Sequence, residues 1–479
     1  MRRFAGTRIA LLLPAAVISG CASVPRDAGF SDVEKAVTER TGHRIVWHDA
    51  SRSAAPTTDE AVLPLLQGTL TADRAVEIAL SNNRDLQATL AELGVARADL
   101  IDAVTIRNPV FDGEIRFPGD PRSPFEIAVT QTLLDLLQLP ARRRFGRALF
   151  EASKVRITGA VIHFAAEVRS DYYDLHAARQ ILARQRVITE VARASADLSL
   201  RQHTAGNISD LDLENEQALY EQAKLDLARA ELEELQAREI LVADLGLVDA
   251  KTPFHLPDEF MPIPDREGSL EGLEEKALAG RLDLRVERLE LEAAQRRLPL
   301  ARWSLADEVS VGVHHEREPE GKATTGPALA VPIPIFNRAG AQRARAAALV
   351  RQAQQRLAAL TVNARSEVRS ASEGLLEARA RSEYLRDVIL PRRLRILYLT
   401  QLEYNAMLRG VFQLIQARQN VASVERQLVL AQRDYWIARS DLDTALAGVA
   451  RFSARPEMPD FMRVDLFRPP TKAQARENE

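Results

Sequence analysis

The residues whose chemistry could serve a reaction or a metal site are few and scattered. His314 and His315 are adjacent, but neighbouring strand residues point to opposite faces of a sheet, so the two rings are not expected to chelate one ion. The sequence has no glycine-rich phosphate loop, no HExxH pattern and no paired cysteines at zinc-binding spacing. It also shows no convergent set of acid, base and nucleophile. We therefore expect a protein that is not an enzyme and that holds neither a metal ion nor a cofactor.

The single cysteine, Cys21, lies where a targeting segment would end. Three arginines occur in the first eight residues, and an apolar stretch follows at 9–19 that is too short to cross a bilayer as a helix. The run "ISGC" that ends at Cys21 resembles a bacterial lipobox, in which the cysteine is lipidated and becomes the mature N-terminus. We expect residues 1–20 to be a signal peptide and an acyl chain such as palmitate to be attached at Cys21. An ordinary signal peptide is the alternative.

Composition indicates long helices rather than a nucleic-acid-binding surface. The chain has 479 residues, of which 27% are charged and only 5% aromatic, and its formal net charge is −3. A nearly neutral chain gives no electrostatic reason to expect a nucleic-acid partner. Ala, Leu, Arg, Glu and Gln are abundant, as in coiled coils.

An internal repeat organises the chain. Residues 77–100 align with 275–298, and 203–246 align with 404–447, at offsets of 198 and 201. A proline-rich segment between them has neither helical period nor strand alternation. We therefore divide the chain into a signal peptide (1–20), a lipid-anchored extended segment (21–69), a first repeat (70–250), a linker (251–268), a second repeat (269–450) and a C-terminal tail (451–479).

Each repeat is expected to run helix, strand, strand, long helix, helix. The predicted elements are helix 71–105, strands 109–117 and 124–133, helices 141–205 and 208–246, then helix 269–302, strands 307–316 and 325–335, and helices 338–408 and 410–448. At 1.5 Å per residue, helix 141–205 would be about 100 Å long, so it needs neighbours along its whole length. The fold class is therefore mainly α with a small β part, built on very long antiparallel coiled-coil helices.

The four predicted strands alternate apolar with polar or small residues. Val309, Val311 and Val313 alternate with Ser310 and Gly312. Strands of about ten residues have the length of a tilted transmembrane β-strand, although a half-buried soluble sheet would alternate in the same way. Four strands cannot close a barrel, so a membrane-spanning sheet would need several chains.

Two prolines, Pro332 and Pro334, lie at the end of the fourth predicted strand, immediately before a long helical run. Because proline has no backbone N–H, it limits strand pairing and fixes an extended backbone. We therefore expect the two prolines to end the sheet where the helix begins.

With these features in view, the chain resembles TolC-type outer-membrane efflux channels, and within them the lipoprotein members of metal-efflux systems of the Czc and Cus type. The resemblance covers about 70–450 and is carried by the duplicated plan, by "LTADRAVEIALSNNRDLQA" and by "PALAVPIPIFNRAGAQRARA". It implies a homotrimer in the outer membrane, with twelve strands in one barrel and a helical tube extending into the periplasm. It also implies passive transport, with a periplasmic adaptor (membrane fusion) protein and an inner-membrane RND-type pump as partners.

In the family, contacts between the two coiled-coil turns close the periplasmic end. By position, the resemblance places Asp212 near the first turn, and Tyr404, Arg409 and Gln413 near the second. An arginine–carboxylate pair and a tyrosine hydroxyl could supply breakable contacts there. This sequence departs from the family in two places, since Met407 replaces a turn glycine and Gln413 an aspartate. The alternative to a gate is that Tyr404 and Arg409 are solvated residues at helix ends.

Two functions of different kinds follow. The first is an efflux conduit, a passive exit duct that most resembles those for metal ions. The second is a membrane-tethered periplasmic coiled-coil scaffold that binds partner proteins and spans no membrane. The repeated strand pairs favour the conduit, because a scaffold has no use for them.

Overall fold

The computed structural model describes most of both repeats and part of the segment that precedes them. The residues described are 27–47, 62, 65–115, 117, 125–132, 134–247, 253–303, 309–318, 322–333, 335–336 and 338–449. Cys21, Pro334 and the predicted tail 451–479 lie outside them.

The described chain is mostly helical, with one small antiparallel sheet. Its elements, in chain order, are α1 (Phe30–Thr41), α2 (Ala72–Asn82), α3 (Arg84–Val104), β1 (Val110–Ile115), β2 (Phe125–Thr132), α4 (Leu134–Thr204), α5 (Asp210–Asp244), α6 (Leu273–Gly280), α7 (Leu282–Trp303), β3 (Ser310–Arg317), β4 (Ala323–Ala330), α8 (Gly340–Tyr384), a π-helical turn (Leu385–Ile389), α9 (Leu390–Asn405) and α10 (Val411–Ala447). The same order of helices and strands thus occurs twice. The predicted mainly helical class with a small β part is confirmed.

Near the sheet, the helices pack side by side in the order α3, α4, α7, α8. The strands pair in the order β1, β2, β3, β4, all antiparallel. Away from the sheet the helices follow the order α5, α4, α10 and then α8 with α9. Helix α4 has 71 residues and is about 107 Å long. At the sheet-proximal level, α3 with β1 forms one edge of the layer, and α8 with β4 forms the other.

The main apolar core lies midway along the helices, where short elements pack on α4. Val161 and Leu175 of α4 are fully buried with Leu80 of α2 and Leu241 of α5. Tyr172 also points into this core and donates from its hydroxyl to the carbonyl of Leu70, at 3.0 Å. These contacts hold the helices together at the middle of the layer.

The predicted helices 71–105 and 269–302 are wrong as single elements, because each is broken near its start. Asn83 separates α2 from α3: its Oδ1 accepts from Leu86 N at 2.9 Å, as an N-cap does, and its Nδ2 donates to the carbonyl of Asp244 at 3.0 Å. Arg281 separates α6 from α7 and donates to the carbonyl of Ala445 at 2.8 Å. Both breaks are therefore held by hydrogen bonds to the end of a distant helix.

Arg281, between α6 and α7, carries a deeply buried charge. Its guanidinium donates to both carboxylate oxygens of Asp283, at 3.0 and 2.6 Å, and to Glu367 Oε2 at 2.6 Å. Gly448 lies against the same group, since a β-carbon there would be 2.3 Å from Asp283 Oδ1 and its φ is +68°. The second repeat is thus fixed by a buried ionic cluster at the position where the first repeat uses neutral Asn83.

Three other boundaries differ from the sequence-based expectation. Residues Phe30–Thr41, which lie in the segment expected to be extended, form α1, whose Val33 and Val37 are buried and whose Asp32 pairs with Lys154 of α4 at 2.7 Å. Helix α4 begins at Leu134 and contains Pro140 in its second turn, where the missing N–H removes one backbone hydrogen bond. The predicted helix 338–408 is interrupted by the π-helical turn just before Pro391.

The fourth strand ends at Ala330, so the prediction that it extends to 335 is wrong. Pro332 lies beyond the last paired residue, and its missing N–H gives the strand no donor there for further pairing. Another proline, Pro327, lies inside β4 opposite Val313. Among the described strands β4 is an edge strand, a position where proline is tolerated.

Candidate functional site

The two helix hairpins end in turns of the same geometry. In the first, Gly206 has a φ of +75° and Asn207 N donates to the carbonyl of Gln202 at 2.9 Å. In the second, Met407 has a φ of +60° and Leu408 N donates to the carbonyl of Glu403 at 2.9 Å. This is the Schellman arrangement, in which a left-handed residue lets the last carbonyls of a helix be satisfied. Met407 therefore adopts the conformation for which the first turn uses glycine.

Asp212 is held by its own hairpin. Ser209 is the N-cap of α5; its Oγ accepts from Asp212 N at 3.2 Å, and the carboxylate of Asp212 accepts from Ser209 N at 3.3 Å and from Ser209 Oγ at 2.7 Å. This reciprocal pair is a capping box. Next to it, the ring of His203 lies 2.6 Å from Asp210 Oδ1. The acidic residue predicted for the gate thus has a structural role that the sequence-based assignment missed.

In the second turn, Arg409 also bonds within its hairpin. Its Nε donates to Glu403 Oε2 at 2.8 Å, and both side chains are about half exposed. Tyr404 is partly buried, and its hydroxyl has no hydrogen-bond partner among the described residues. Gln413 is exposed and folds back over Gly410, where a β-carbon would lie 3.0 Å from its Oε1.

The structure therefore places all four predicted residues at the two turns but does not bring them together. Within the described part of one chain, no hydrogen bond or ion pair joins Asp212 to Tyr404, Arg409 or Gln413. Contacts between the turns of different copies stay a prediction. Around these residues the turns expose apolar side chains, with Met407 94%, Leu408 76% and Leu211 70% exposed.

At the other end of the molecule, the sheet has two chemically different faces. The register aligns Phe111 with Val129, Val129 with Val313, and Val313 with Pro327, so an apolar row crosses all four strands. Apolar residues also predominate on the rest of this face, with Ile115, Phe125, Ile127, Val311 and Leu329, although Gln131, His315, Arg317 and Thr325 lie on it as well. Several of them are well exposed, including Phe111 at 66% and Leu329 at 70%.

The opposite face of the sheet is polar or small except for Val110. It carries Asp112, Glu114, Glu126, Thr130, Ser310, Gly312, His314, Thr324 and Gly326. The two adjacent histidines point to opposite faces, because His314 Nε2 lies 2.9 Å from Glu126 Oε1 on this face whereas His315 Nδ1 lies 2.7 Å from Thr325 Oγ1 on the other. Within the described residues, no cluster of three or more His, Cys, Asp or Glu side chains has a metal-binding arrangement.

A pair of carboxyl groups escaped sequence reasoning because its members are far apart in the chain. Asp171 of α4 and Asp244 of α5 are close neighbours, and burial, together with the proximity and negative charge of Asp171 and the charge of Glu167, raises the pKa of Asp244 to about 8. Burial likewise raises the pKa of Asp171. One proton is therefore retained between the two groups at neutral pH.

Glu216 was missed for a different reason. It is buried close to the first turn and accepts from Ser195 Oγ at 2.6 Å. Nothing in its sequence context distinguishes it from the many solvated glutamates of α5.

None of the helices in the described residues combines the length and the apolar character that a membrane-crossing helix requires.

Comparison with known proteins decides the family. The family model described as "Outer membrane efflux protein" matches residues 75–247 and again 273–448. The chain belongs to this family. The resemblance predicted from the sequence is thereby confirmed, and a family of outer-membrane efflux proteins is one of transport proteins rather than enzymes. The domain boundaries predicted from the sequence stay predictions.

Two curated relatives match this efflux protein in part. Protein CyaE of Bordetella pertussis is 32% identical over 211 residues, which are 40% of this chain and 44% of CyaE. The chain thus aligns with less than half the length of CyaE. The cobalt-zinc-cadmium resistance protein CzcC of Cupriavidus metallidurans is 23% identical over 338 residues, which are 68% of this chain and 77% of CzcC.

Among solved structures, the CmeC outer membrane channel of Campylobacter jejuni superposes with a TM-score of 0.67. Its sequence is 16% identical, and the superposition covers 85% of this chain and 91% of CmeC. At this identity the likeness shows a shared fold and nothing finer.

Proposed function

We propose that this efflux protein is the outer-membrane channel component of a tripartite efflux system and a passive exit duct. One observation carries the proposal: a four-stranded sheet with an exposed, mainly apolar face and a polar face, whose edge strands β1 and β4 have no further partner strand among the described residues. An apolar outer face and a polar inner face are the features of a membrane barrel wall. Unpaired edges in lipid would leave backbone groups unsatisfied, so the sheet needs copies of itself.

The layer order supports closure into a ring. Because α3 and β1 lie at one edge and α8 and β4 at the other, a head-to-tail contact would join helix to helix and strand to strand at once. The family resemblance implies three copies, and three chains of four strands would make a barrel of twelve. Helices as long as α4 would then form a tube that extends into the periplasm.

The remaining parts of the system are also proposals. Cys21 would carry a lipid that anchors the chain to the outer membrane. A periplasmic adaptor protein and an inner-membrane RND-type pump would deliver the substrate and supply the energy, so the chain would act without an enzymatic step or a cofactor. Metal ions are the favoured substrate class, because the matched relative CzcC is named for cobalt, zinc and cadmium resistance.

The scaffold alternative can be tested directly. The purified chain should need detergent for solubility and should run as a heat-sensitive trimer on a gel, and it should conduct ions in a planar bilayer. A monomer that is soluble without detergent would refute the channel. Deletion of the gene, followed by survival tests on panels of metals and of organic drugs, would then assign the substrate.

The gate at Asp212, Tyr404, Arg409 and Gln413 is proposed to close the periplasmic end through contacts between copies. The double variant Arg409→Glu with Tyr404→Phe should raise single-channel conductance in planar bilayers, because it removes the cation and the hydroxyl that would hold the turns together. Lys224→Glu is a matched control, since Lys224, like Arg409, pairs with a nearby glutamate of its own hairpin, Glu221 at 2.6 Å. Unchanged conductance in the double variant would remove the gate assignment.

A further inference from the structure

One level of the helical layer carries acidic and basic residues in alternation. The four residues, taken across the layer, are Glu92 on α3, Arg156 on α4, Glu290 on α7 and Arg356 on α8. At the centre of this row, Arg156 Nη2 donates to Glu290 Oε1, and both side chains are about nine-tenths buried. The α4–α7 contact thus contains a buried ion pair.

The electrostatic environment of the two glutamates supports this alternation. Burial raises the pKa of Glu290, and the positive charges of Arg156 and Arg356 oppose that rise. Burial also raises the pKa of Glu92, and Arg156 opposes it. Each interior member of the row therefore lies between two groups of opposite charge.

The repeat relates the two ends of the row to its centre. The tetrapeptide "EVRS" occurs at 167–170 and 367–370, and this offset of 200 places Arg156 on Arg356. The alignment of 77–100 with 275–298, at an offset of 198, places Glu92 on Glu290. The ends of the row are thus the repeat equivalents of the buried central pair.

Within one chain, however, Glu92 and Arg356 lie at opposite edges of the layer. Glu92 is partly exposed and Arg356 is exposed, and neither has a hydrogen bond or an ion pair with any described residue. The interaction that each would make by analogy with the centre is therefore missing from the single chain.

The surrounding charges of the two edge helices are complementary as well. From 338 to 366 the α8 edge has six arginines and no acidic residue: Arg338, Arg343, Arg345, Arg351, Arg356 and Arg365. Helix α3 carries Asp85, Asp99 and Asp102 besides Glu92, and none of these four carboxylates is ion-paired in the described chain. Asp85, Glu92 and Asp99 recur every seven residues and so share one side of the helix.

We propose that α8 of one copy packs against α3 of the next, and that Arg356 bonds to Glu92 of that next copy as Arg156 bonds to Glu290 within the chain. This inference rests on the proposed ring and names the contact that closes it. In a ring, every member of the row then lies between two opposite charges. A slip of one helical turn would separate the pair, so it fixes the register of assembly.

Disulfide trapping in the full-length chain tests this contact. The variant Glu92→Cys/Arg356→Cys should form disulfide-linked oligomers about tenfold more abundantly than either single variant, because only paired Cβ atoms come close enough to bond. Glu92→Cys/Arg365→Cys is the matched control, since residue 365 lies about 14 Å further along α8. The single variants also control for any contribution of Cys21.

The outcomes separate this inference from the proposed function. A detergent-dependent trimer without a 92–356 crosslink would overturn the paired contact and leave the channel standing. A monomer that is soluble without detergent would overturn both.

A double-mutant cycle on the stability of the trimer is a second test of the contact. Glu92→Gln and Arg356→Gln should each lower the dissociation temperature of the trimer, and the double variant should lose no more than the larger single loss. Additive losses would mean that the two residues do not interact.

Discussion

Replacing Val313 by arginine would test whether the apolar face of the sheet meets lipid. Val313 is the fourth of eight residues in β3, a strand about 27 Å long, so it lies near the middle of the sheet. Its neighbours across the register are Val129 and Pro327, and its side chain is 56% exposed in the single chain. The new cation would therefore project from the centre of the apolar row.

The expected cost follows from the surroundings of this face. An arginine on the lipid-facing side of a barrel near the bilayer midplane costs about 2–4 kcal/mol, or about 6–12 kcal/mol over three copies. If the same face met water, a substitution at a position this exposed would change the free energy of unfolding by only about 0.5 kcal/mol or less. The two cases differ by a factor of at least four per chain, which a stability measurement resolves.

His314→Arg is the matched control, because it adds the same side chain at the next residue but on the polar face. There the guanidinium can keep the contact that His314 makes with Glu126. We expect Val313→Arg to lower the yield of the heat-sensitive trimer in outer-membrane fractions and the free energy of unfolding in lipid vesicles, and His314→Arg to preserve both. Equal effects of the two variants would show that the faces do not differ in solvent and would refute the membrane placement.

Two further predictions concern the helical part. Met407→Gly should stabilise the second turn by about 0.5–1 kcal/mol, since it relieves a left-handed conformation that costs a non-glycine residue about 1–2 kcal/mol. Gly206→Ala should destabilise the first turn for the same reason. Hydrogen exchange at the turns measures both effects, and slower exchange at the first turn in the alanine variant would contradict the prediction. The raised pKa of Asp244 implies that its contribution to stability is fully present below its ordinary value of 3.8 and is lost as the pH rises through about 8. Asp244→Asn, which stays uncharged, should therefore flatten the decrease of unfolding free energy over that range, and an unchanged pH profile would exclude a shared proton with Asp171.

The parts of the fold that could be predicted from the sequence are those set by local periodicity. The strand pairs follow from alternation, and the long helices follow from long runs rich in strong helix formers. The same reasoning failed at Asn83 and Arg281, because the bonds that break those helices go to residues more than 150 positions away. Asn83 did give a usable signal, since asparagine is favoured at N-caps and this one follows another asparagine.

The candidate site was only partly within reach of the sequence. Position in the repeat located the turns, and Met407 was recognised as standing where a glycine is expected. The capping box formed by Ser209 and Asp212 has a sequence signature, but Asp212 is assigned to the gate from the family resemblance and its capping role is therefore not predicted. The Arg409–Glu403 pair could not be anticipated, because it depends on how the chain reverses at the turn.

The repeat explains why residues at the edges of the layer are harder to interpret than residues at its centre. In a duplicated chain, the contact between the two repeats and the contact between successive copies are built from equivalent helices. Arg156 and Glu290 meet inside the chain, and so their pairing is visible, whereas their repeat equivalents Arg356 and Glu92 lie at opposite edges of the layer. Two unpaired charges on distant helices would ordinarily be taken for solvated surface. Their equivalence to a buried pair makes a second copy of the chain the simplest partner for both.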